Sequence, residues 1–252
     1  MKIVVTFALE AEFAAWRRLR SFRRVFVEGN AVYEAQIGEA EVRVVLTGVG
    51  ARNARRMMSV LLNPPPAVCI SAGLAGGLKL GYRRGEILAA GGVRSDSANR
   101  IFRSDANLLR LAVGCGARAV EMFYTSERVV LRAQEKSRLG TLADAVEMES
   151  FAVLSETSAG GVPGVAIRAI GDPVDLDLPY DFNQVVGKHG RVSIPRVLAQ
   201  IAKSPHRFPA LVQFGRDSLR ACASLARFLD RYVEVVASQK SNQEVLSQAV
   251  AG

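Results

Sequence analysis

The sequence has few of the residues on which disulfide-bonded and metal-binding proteins depend. Its 252 residues include only three cysteines and two histidines. Because Cys69, Cys115 and Cys222 are odd in number and widely spaced, they argue against a disulfide framework and predict reduced thiols in a cytoplasmic protein. His189 and His206 lie in a basic segment without zinc-ligand spacing, so we expect no metal site.

Long apolar runs are also missing from the sequence. No uncharged stretch approaches the ~20 residues that a membrane-spanning helix requires, and the first residues pass into a strand without the apolar core of a signal peptide. The chain is 49% apolar and 23% charged, which is typical of a soluble globular domain. It has no internal repeat and no low-complexity linker, so we predict a single domain.

Positive charge is present in excess, with a net charge of +9. We predict one catalytic domain over residues 1–240, with a basic helical C-terminal part at about 188–240 and a flexible tail over 241–252. From Lys188 to Lys240, ten basic residues accompany only three acidic ones. This part is either a helix packed on the core with a solvated basic face or a surface that contacts an anionic membrane. Apolar residues at roughly helical spacing support the second interpretation: Phe208, Leu211, Phe214, Leu219, Leu225 and Phe228.

Short β-rich runs alternate with longer helical patterns, which indicates an α/β layer architecture. The predicted strands are Ile3–Phe7, Ala31–Ile37, Glu41–Thr47, Ala67–Ala72, Glu86–Ala90 and Val162–Ile170. The predicted helices are Glu10–Arg20, Asn53–Leu62, Val146–Thr157, Arg196–Lys203 and Pro209–Val236. In open α/β sheets, ligands bind beside the carboxyl ends of the strands, so the segments that follow the strands are candidates for a site.

Three of these segments could carry chemistry, and each has a plainer explanation. The glycine-rich segment from Ser71 to Gly77 would let the backbone approach a ligand, but a tight turn requires the same residues. Glu147 and Glu149 begin a predicted helix; a carboxylate there could bind a ribose diol or simply complement the helix dipole. Asp172 ends a predicted strand, where it could act chemically or cap the turn before proline.

Two further positions carry charge near the same edge. Glu10 and Glu12 follow the first predicted strand, and each is either solvated helix surface or part of the same cavity. Arg168 lies inside a predicted strand, where an unpaired charge is costly. We therefore predict that Arg168 pairs with a carboxylate.

Taken in order, these segments resemble the nucleoside phosphorylase/nucleosidase superfamily, in particular the methylthioadenosine/S-adenosylhomocysteine nucleosidases. The matching motifs are Ala8-Leu9-Glu10-Ala11-Glu12, Thr47-Gly48-Val49-Gly50, Ala72-Gly73-Leu74-Ala75-Gly76-Gly77, Ala145-Val146-Glu147-Met148-Glu149 and Arg168-Ala169-Ile170-Gly171-Asp172. The resemblance implies a three-layer α/β/α phosphorylase/hydrolase-like fold with a central mixed, twisted β-sheet. It also implies a homodimer and no cofactor.

The C-terminal part is similar to a narrower group, the hopanoid-associated nucleoside phosphorylases. The segments that carry this likeness are Gly171-Asp172-Pro173-Val174-Asp175, Leu178-Pro179, Ser204-Pro205 and Phe208-Pro209-Ala210-Leu211. Members of that group are associated with removing adenine from adenosylhopane. The resemblance therefore implies an adenine nucleoside with a 5′ substituent as substrate, and adenosylhopane as one candidate.

Roles for individual residues follow from the resemblance. Asp172 would be the general acid that protonates purine N7, and Glu12 the base that activates water. Glu149 would bind the ribose 2′- and 3′-hydroxyls, with Met148 packing under the sugar. The remaining candidates for substrate contact are Glu147, Gly73, Leu74 and the backbone around Val129, which would border the base.

The nucleophile is water or phosphate in this superfamily, and the residues favour water. Leu74 stands where phosphorylases have a serine and cannot hydrogen-bond phosphate, while Glu12 would repel an anion. Arg52, near a predicted helix N-terminus, remains a candidate contact for phosphate or the 5′ group. Gly171 and Val129 also depart from the nucleosidase pattern, which favours a substrate other than methylthioadenosine.

Several alternatives remain open at this point. They are a phosphorylase, a methylthioadenosine/S-adenosylhomocysteine nucleosidase and a non-catalytic nucleoside-binding module. We expect no nucleic-acid partner, because the basic cluster from Arg17 to Arg24 contains only Phe22, with Trp16 beside it, for stacking on bases. We expect a cytoplasmic location, with peripheral contact to the inner membrane as a further candidate.

Overall fold

A computed structural model describes residues 1–251 except 97, 186, 188, 189, 191 and 192, and describes side chains as far as residue 239. The strands are Lys2–Phe7 (β1), Arg23–Val27 (β2), Asn30–Ile37 (β3), Ala40–Leu46 (β4), Val68–Gly77 (β5), Ile87–Ser95 (β6), Ala98–Arg103 (β7), Arg118–Thr125 (β8), Ala145–Glu147 (β9) and Gly164–Asp172 (β10). The helices are Glu10–Leu19 (α1), Ala51–Leu61 (α2), Ala106–Gly114 (α3), Ala133–Leu139 (α4), Ser150–Ala159 (α5), Ile194–Lys203 (α6) and Phe208–Ala251 (α7). Lys188, His189 and the side chain of Lys240 lie outside the described residues.

The strands form one mixed sheet, which confirms the predicted fold class. Its centre is parallel, because β4, β1, β5 and β10 pair in the same direction. The outer hairpins are antiparallel, as are the pairs β5–β9 and β10–β6. Because β5 pairs with both β10 and β9, the strands β5, β10, β6, β8 and β9 close into a ring at one end of the sheet.

Strand β5 changes its neighbour part of the way along its length. Its first half pairs with β1 as far as Ser71, whereas β9 takes the same edge only from Gly76 onward. The intervening residues of β5 therefore have no strand beside them on that edge. Backbone N–H groups there are free to donate hydrogen bonds to side chains.

Helices cover the sheet on both faces and complete three layers. One apolar cluster joins α1, α3 and α7 to the strands through residues such as Phe13, Trp16, Leu108 and Tyr232. A second cluster joins α2 and α5 to the opposite face. Trp16 and Phe22, the aromatic residues beside the basic N-terminal cluster, pack against each other in this interior rather than outside it.

Two predicted elements were wrong in detail. The predicted helix Val146–Thr157 begins only at Ser150, because the three residues Ala145–Glu147 form strand β9 between β5 and β8. The glycine-rich segment that was predicted to follow a strand belongs to β5 itself, which continues to Gly77. In both places, pairing with neighbouring strands keeps the chain in strand conformation where the local composition indicates a helix or a turn.

The long C-terminal helix packs on the core along one part of its length and is exposed along another. Its middle part packs on the core, where Leu225 and Phe228 are buried, whereas Phe208 and Leu219 nearer its start are exposed. The backbone is helical through Ala251, and the flexibility predicted for 241–252 stays a prediction. No glycine or proline interrupts residues 216–251, so no local signal ends the helix.

Candidate active site

A cavity of about 550 Å³ lies where the ends of β1, β5, β9 and β10 meet α6 and α7. The predicted site residues in its lining are Glu12, Leu74, Val129, Glu147, Met148, Glu149 and Asp172. Segments that are far apart in the sequence therefore contribute to one site. Gly73 and Arg52 are not in this lining.

Glu12 is held at the edge of β5 that lacks a strand neighbour. Its Oε2 accepts the N–H groups of Ala8 and Leu9, both at 3.0 Å, and its Oε1 accepts the N–H of Leu74 at 2.9 Å. The bond to Leu9 also caps the start of α1. Burial raises the pKa of the Glu12 carboxyl, and the backbone donors act against that rise. A carboxyl with fixed position and raised pKa is suited to accept a proton from water.

Gly73 lies beneath this carboxyl rather than in the cavity wall. A Cβ at Gly73 would come within 2.9 Å of Glu12 Oε1, so a side chain there would displace Glu12. Gly73 therefore leaves space for the Glu12 carboxyl, and its contact with substrate stays a prediction.

A buried ion pair supports the second carboxylate group. Arg168 Nη2 donates to Glu147 Oε2 at 2.5 Å and lies 3.8 Å from Glu149 Oε2, as predicted for a charge inside a strand. Glu147 Oε2 also accepts the N–H groups of Glu149 and Ser150, and its Oε1 accepts the hydroxyl of Thr125. Because these donors occupy the Glu147 oxygens, Glu147 is suited to holding Arg168 and the turn rather than to binding a ligand.

Glu149 is more available than Glu147. Its Oε1 accepts one hydrogen bond, from the N–H of Gly50 at 2.9 Å. Burial, together with the charge of Glu147, raises the pKa of Glu149 to about 8, although Arg168 acts in the opposite direction. A carboxyl group with unused acceptor sites on a cavity wall can bind a pair of hydroxyls.

Asp172 is at the far end of the same wall, where β10 ends. A Cβ at Gly76 would lie 3.3 Å from Asp172 Oδ2, so the glycine allows the carboxyl to pack against β5. Asp172 Oδ2 accepts a hydrogen bond from the buried ammonium group of Lys136. Burial raises the pKa of Asp172, and the charges of Lys136 and Arg84 oppose the rise. A raised pKa is what a general acid near neutral pH requires.

The backbone N–H and carbonyl groups of Val129 are both hydrogen-bonded to one side chain. Its N–H donates to Asn183 Oδ1 at 2.7 Å, and its carbonyl accepts from Asn183 Nδ2 at 3.0 Å. The predicted position of Val129 beside a base is consistent with its place in the cavity lining. A base that used this backbone would have to replace the Asn183 carboxamide.

Arg52 does not reach the cavity. It lies in the first turn of α2 with an exposed side chain. Among the described residues of the cavity lining, Arg128 is the only basic one, and it pairs with Glu135 on the surface. No group of three or more histidine, cysteine, aspartate or glutamate side chains in the described part of the chain is arranged to hold a metal ion.

The outer wall of the cavity has a different chemistry from the inner end. It is built mainly by apolar side chains from the segment after β10, from α6 and from the first half of α7. These residues are Leu178, Phe182, Val185, Val197, Phe214 and Leu219. The rings of Phe182 and Phe214 pack against each other with centroids 5.2 Å apart. The cavity therefore joins a carboxyl-rich inner end to an apolar outer part.

Sequence reasoning missed Lys136 and Asn183. Lys136 lies in a short, strongly charged stretch that is typical of an exposed helix, so composition carries no signal that it is buried. Asn183 lies just after the motif around Asp172, but its pairing with Val129 spans 54 residues and depends on tertiary structure.

Comparison with known proteins agrees with this architecture. The family model described as "Phosphorylase superfamily" matches residues 2–203. Among solved structures, a 5′-methylthioadenosine/S-adenosylhomocysteine nucleosidase from Campylobacter jejuni is 18% identical, with a TM-score of 0.71 over 93% of this chain and 99% of that one. The S. pneumoniae nucleosidase, bound to a transition-state inhibitor, is 17% identical with a TM-score of 0.72 over 94% and 100%. A futalosine hydrolase mutant from Helicobacter pylori is 16% identical with a TM-score of 0.70 over 93% and 99%.

Proposed function

The chain belongs to the phosphorylase superfamily, and from this premise we propose that it cleaves the N-glycosidic bond of an adenine nucleoside. The observation that carries the proposal is the placement of Glu12 and Asp172 in one cavity, against Gly73 and Gly76 of β5. Both carboxyl groups line the same cavity, so a nucleoside bound there can contact one with its base and the other through the water that attacks its sugar.

The proposed reaction assigns one proton transfer to each carboxyl group. Asp172 donates a proton to N7 of the purine as the bond from C1′ to N9 breaks, so the leaving base carries no negative charge. Glu12 accepts a proton from a water molecule whose oxygen forms the new bond to C1′. The sugar becomes oxocarbenium-like between these events, and the carboxyl groups act on opposite sides of it, as in other glycoside hydrolyses.

Glu149 would bind the ribose in this scheme. Its carboxylate can accept hydrogen bonds from the 2′- and 3′-hydroxyls, with Met148 packing under the sugar. Because the pKa of Glu149 is about 8, its ionised form becomes more populated as pH rises, and binding through it should then tighten. The general acid Asp172 must instead be protonated, so catalysis should decline at high pH.

Water is the proposed nucleophile. The described lining contains four carboxyl groups and one basic side chain, Arg128, which pairs with Glu135. Such a charge distribution disfavours a phosphate anion. Arg168, the buried cation nearby, is already bonded to Glu147 and Ser71. Phosphorolysis is the alternative, and it would require a phosphate contact that these residues do not readily provide.

The substrate is proposed to carry an apolar 5′ substituent. The outer wall of the cavity offers aromatic and aliphatic side chains, which favour an apolar group over a charged amino-acid tail. Adenosylhopane, implied by the resemblance in the C-terminal part, fits this requirement. Methylthioadenosine, with its small thioether, is the alternative substrate. Homodimer formation, implied by the resemblance, remains a prediction.

Release of free adenine is the direct test. We would incubate the protein with adenosine, methylthioadenosine, S-adenosylhomocysteine and a 5′-alkyl adenosine, each with and without phosphate. Without phosphate, we expect release of adenine together with the unphosphorylated sugar. The 5′-alkyl adenosine should have the highest kcat/KM of the four nucleosides. No adenine from any nucleoside would contradict the function, and a strict requirement for phosphate would contradict water as nucleophile.

We also propose that the outer surface beside the cavity contacts an anionic membrane. This surface comprises α6 and the start of α7, from Ile194 to Leu219. Every residue of α6 is at least partly exposed, and Ile194, Leu198, Phe208 and Leu219 expose between 48% and 65% of their area. Basic residues accompany them: Arg196, Lys203, Arg207 and Arg216. Apolar and basic side chains together are complementary to anionic lipid.

Vesicle flotation tests this surface. The protein should float with vesicles that contain phosphatidylserine, and less well with neutral vesicles or at high salt. Leu198→Asp should weaken the association, whereas Val113→Asp, at an exposed apolar position of α3, should not. No flotation with either lipid would overturn the proposal, as would a dimer in solution that Leu198→Asp dissociates. In the part of the chain that the structure describes, no helix is both long and apolar enough to cross a bilayer.

A further inference from the structure

A lysine is completely buried behind the proposed general acid. Lys136, in helix α4, has no exposed side-chain area, although a buried ammonium group is costly unless it is paired and hydrogen-bonded. Its Nζ contacts Asp172 Oδ2, the carbonyl of Pro173 at 3.1 Å and the carbonyl of Leu176 at 2.7 Å. An ammonium group has three N–H donors, and all three have acceptors here.

The helix that carries Lys136 is fixed against the segment that follows Asp172 and against the end of β5. The N–H of Ala133 at the start of α4 donates to Asp177 Oδ1 at 2.8 Å, in the segment that follows β10. At the end of α4, a Cβ at Gly140 would come within 2.3 Å of the Leu78 carbonyl, so the helix packs closely on the end of β5. The position of the ammonium group is therefore determined by backbone contacts at both ends of the helix.

The two carboxyl oxygens of Asp172 differ in their hydrogen bonding. Oδ2 is bound to Lys136, whereas Oδ1 has no hydrogen-bond partner among the described residues, and Asp172 contributes to the cavity lining. We propose that Lys136 is the positioning residue of the proposed reaction: by binding Oδ2 it keeps Oδ1 directed at the substrate. This inference rests on the proposed function of Asp172.

The charge of Lys136 also affects how strongly Asp172 holds its proton. Burial raises the pKa of Asp172, and Lys136 is the largest influence in the opposite direction, followed by Arg84. A general acid works best when its pKa is near the operating pH. Lys136 would therefore keep Asp172 from becoming too weak an acid to release its proton to the base.

Substitution of Lys136 by methionine tests the inference, with Arg138→Met as the matched control on the exposed side of the same helix. We expect Lys136→Met to lower kcat by roughly 10- to 100-fold, the loss typical of a misplaced reacting group, with KM changed less than about threefold. The pH at which kcat declines should rise by about one unit or more, because the pKa of Asp172 rises when the positive charge beside it is removed. Arg138→Met should change neither quantity.

Direct titration of Asp172 separates this inference from the proposed function. Carbon-13 NMR of the carboxyl groups, assigned with Asp172→Asn, should show a higher pKa for Asp172 in Lys136→Met than in the wild type or in Arg138→Met. That result would support the pairing even if no nucleoside is cleaved. If Lys136→Met does not fold, Lys136→Gln, which keeps N–H donors for the two carbonyls, serves instead. An unchanged pKa, or an unchanged kcat in an enzyme that Asp172→Asn inactivates, would overturn the inference.

Discussion

The inner and outer parts of the cavity are held together by different interactions. At the inner end, Glu12 is bound by three backbone N–H groups and Asp172 by a buried lysine. The outer wall contains mainly apolar side chains, and one of its helices, α6, has no buried residue. Fixed polar groups are suited to acting on a reacting bond, whereas an adaptable apolar wall is suited to binding a substituent. We therefore expect inner substitutions to change kcat and outer ones to change KM.

The largest expected effect is a loss of kcat at Glu12 but not at Glu10, although both residues lie near the start of α1. Glu12→Gln removes the base but keeps the shape of the side chain, so kcat should fall by about 10²- to 10⁴-fold. Glu10→Gln, two residues away and in a surface pair with Arg17, should leave kcat within a factor of two. Steady-state assays of adenine release measure both variants. Equal losses in the two variants would mean that Glu12 has no special role.

A smaller effect is expected at the outer wall. Phe214→Ala shortens the apolar wall, so KM for a 5′-alkyl adenosine should rise by roughly 10-fold, as for one lost apolar contact. KM for adenosine itself should hardly change. Phe208→Ala, on the exposed side of the same helix, is the control and should leave both values unaltered. If Phe214→Ala raised KM equally for both nucleosides, the division between inner and outer parts would not hold.

The smallest effect concerns stability rather than catalysis. Because the folded protein raises the pKa of Glu149 to about 8 from its usual 4.5, the folded state retains a proton that the unfolded state releases. This contribution to stability is fully present below about pH 4.5 and is lost as pH rises through about 8. Glu149→Gln should remove the dependence and raise Tm at pH 9 by about 2–4 °C relative to wild type.

Thermal unfolding at pH 5 and pH 9 measures this difference. Glu156→Gln, in the helix that begins directly after Glu149 and in a surface pair with Arg55, should have the same Tm as the wild type at both pH values. A Tm for Glu149→Gln that falls with pH in parallel with the wild type would show that another group carries the dependence.

The sequence predicts the inner region better than the outer one. Strands β1 and β10 are mainly apolar and almost entirely buried, because they are covered on both faces; Asp172 ends β10, and Glu12 lies in the helix that follows β1. Such runs are recognisable without a structure. The pairing of Arg168 was also predicted and is confirmed, since a cation inside a buried strand requires a partner.

Other elements could not be predicted, for identifiable reasons. Strand β2 begins with two exposed arginines and has no buried residue, so it lacks the pattern of a core strand. Strand β9 has only three residues, too few to show alternation. Lys136 belongs to a charged helix and becomes buried only through contacts with residues 36 to 40 positions away. Tertiary packing, rather than local sequence, determines these features.

The most direct measurement is single-turnover release of adenine by Asp172→Asn, compared with hydrolysis of an aryl riboside whose leaving group needs no proton. If Asp172 is the general acid, adenine release should fall by about 10²- to 10⁴-fold while the aryl riboside is hydrolysed at nearly the wild-type rate. Unchanged adenine release, or equal losses for the two substrates, would contradict the assignment of Asp172.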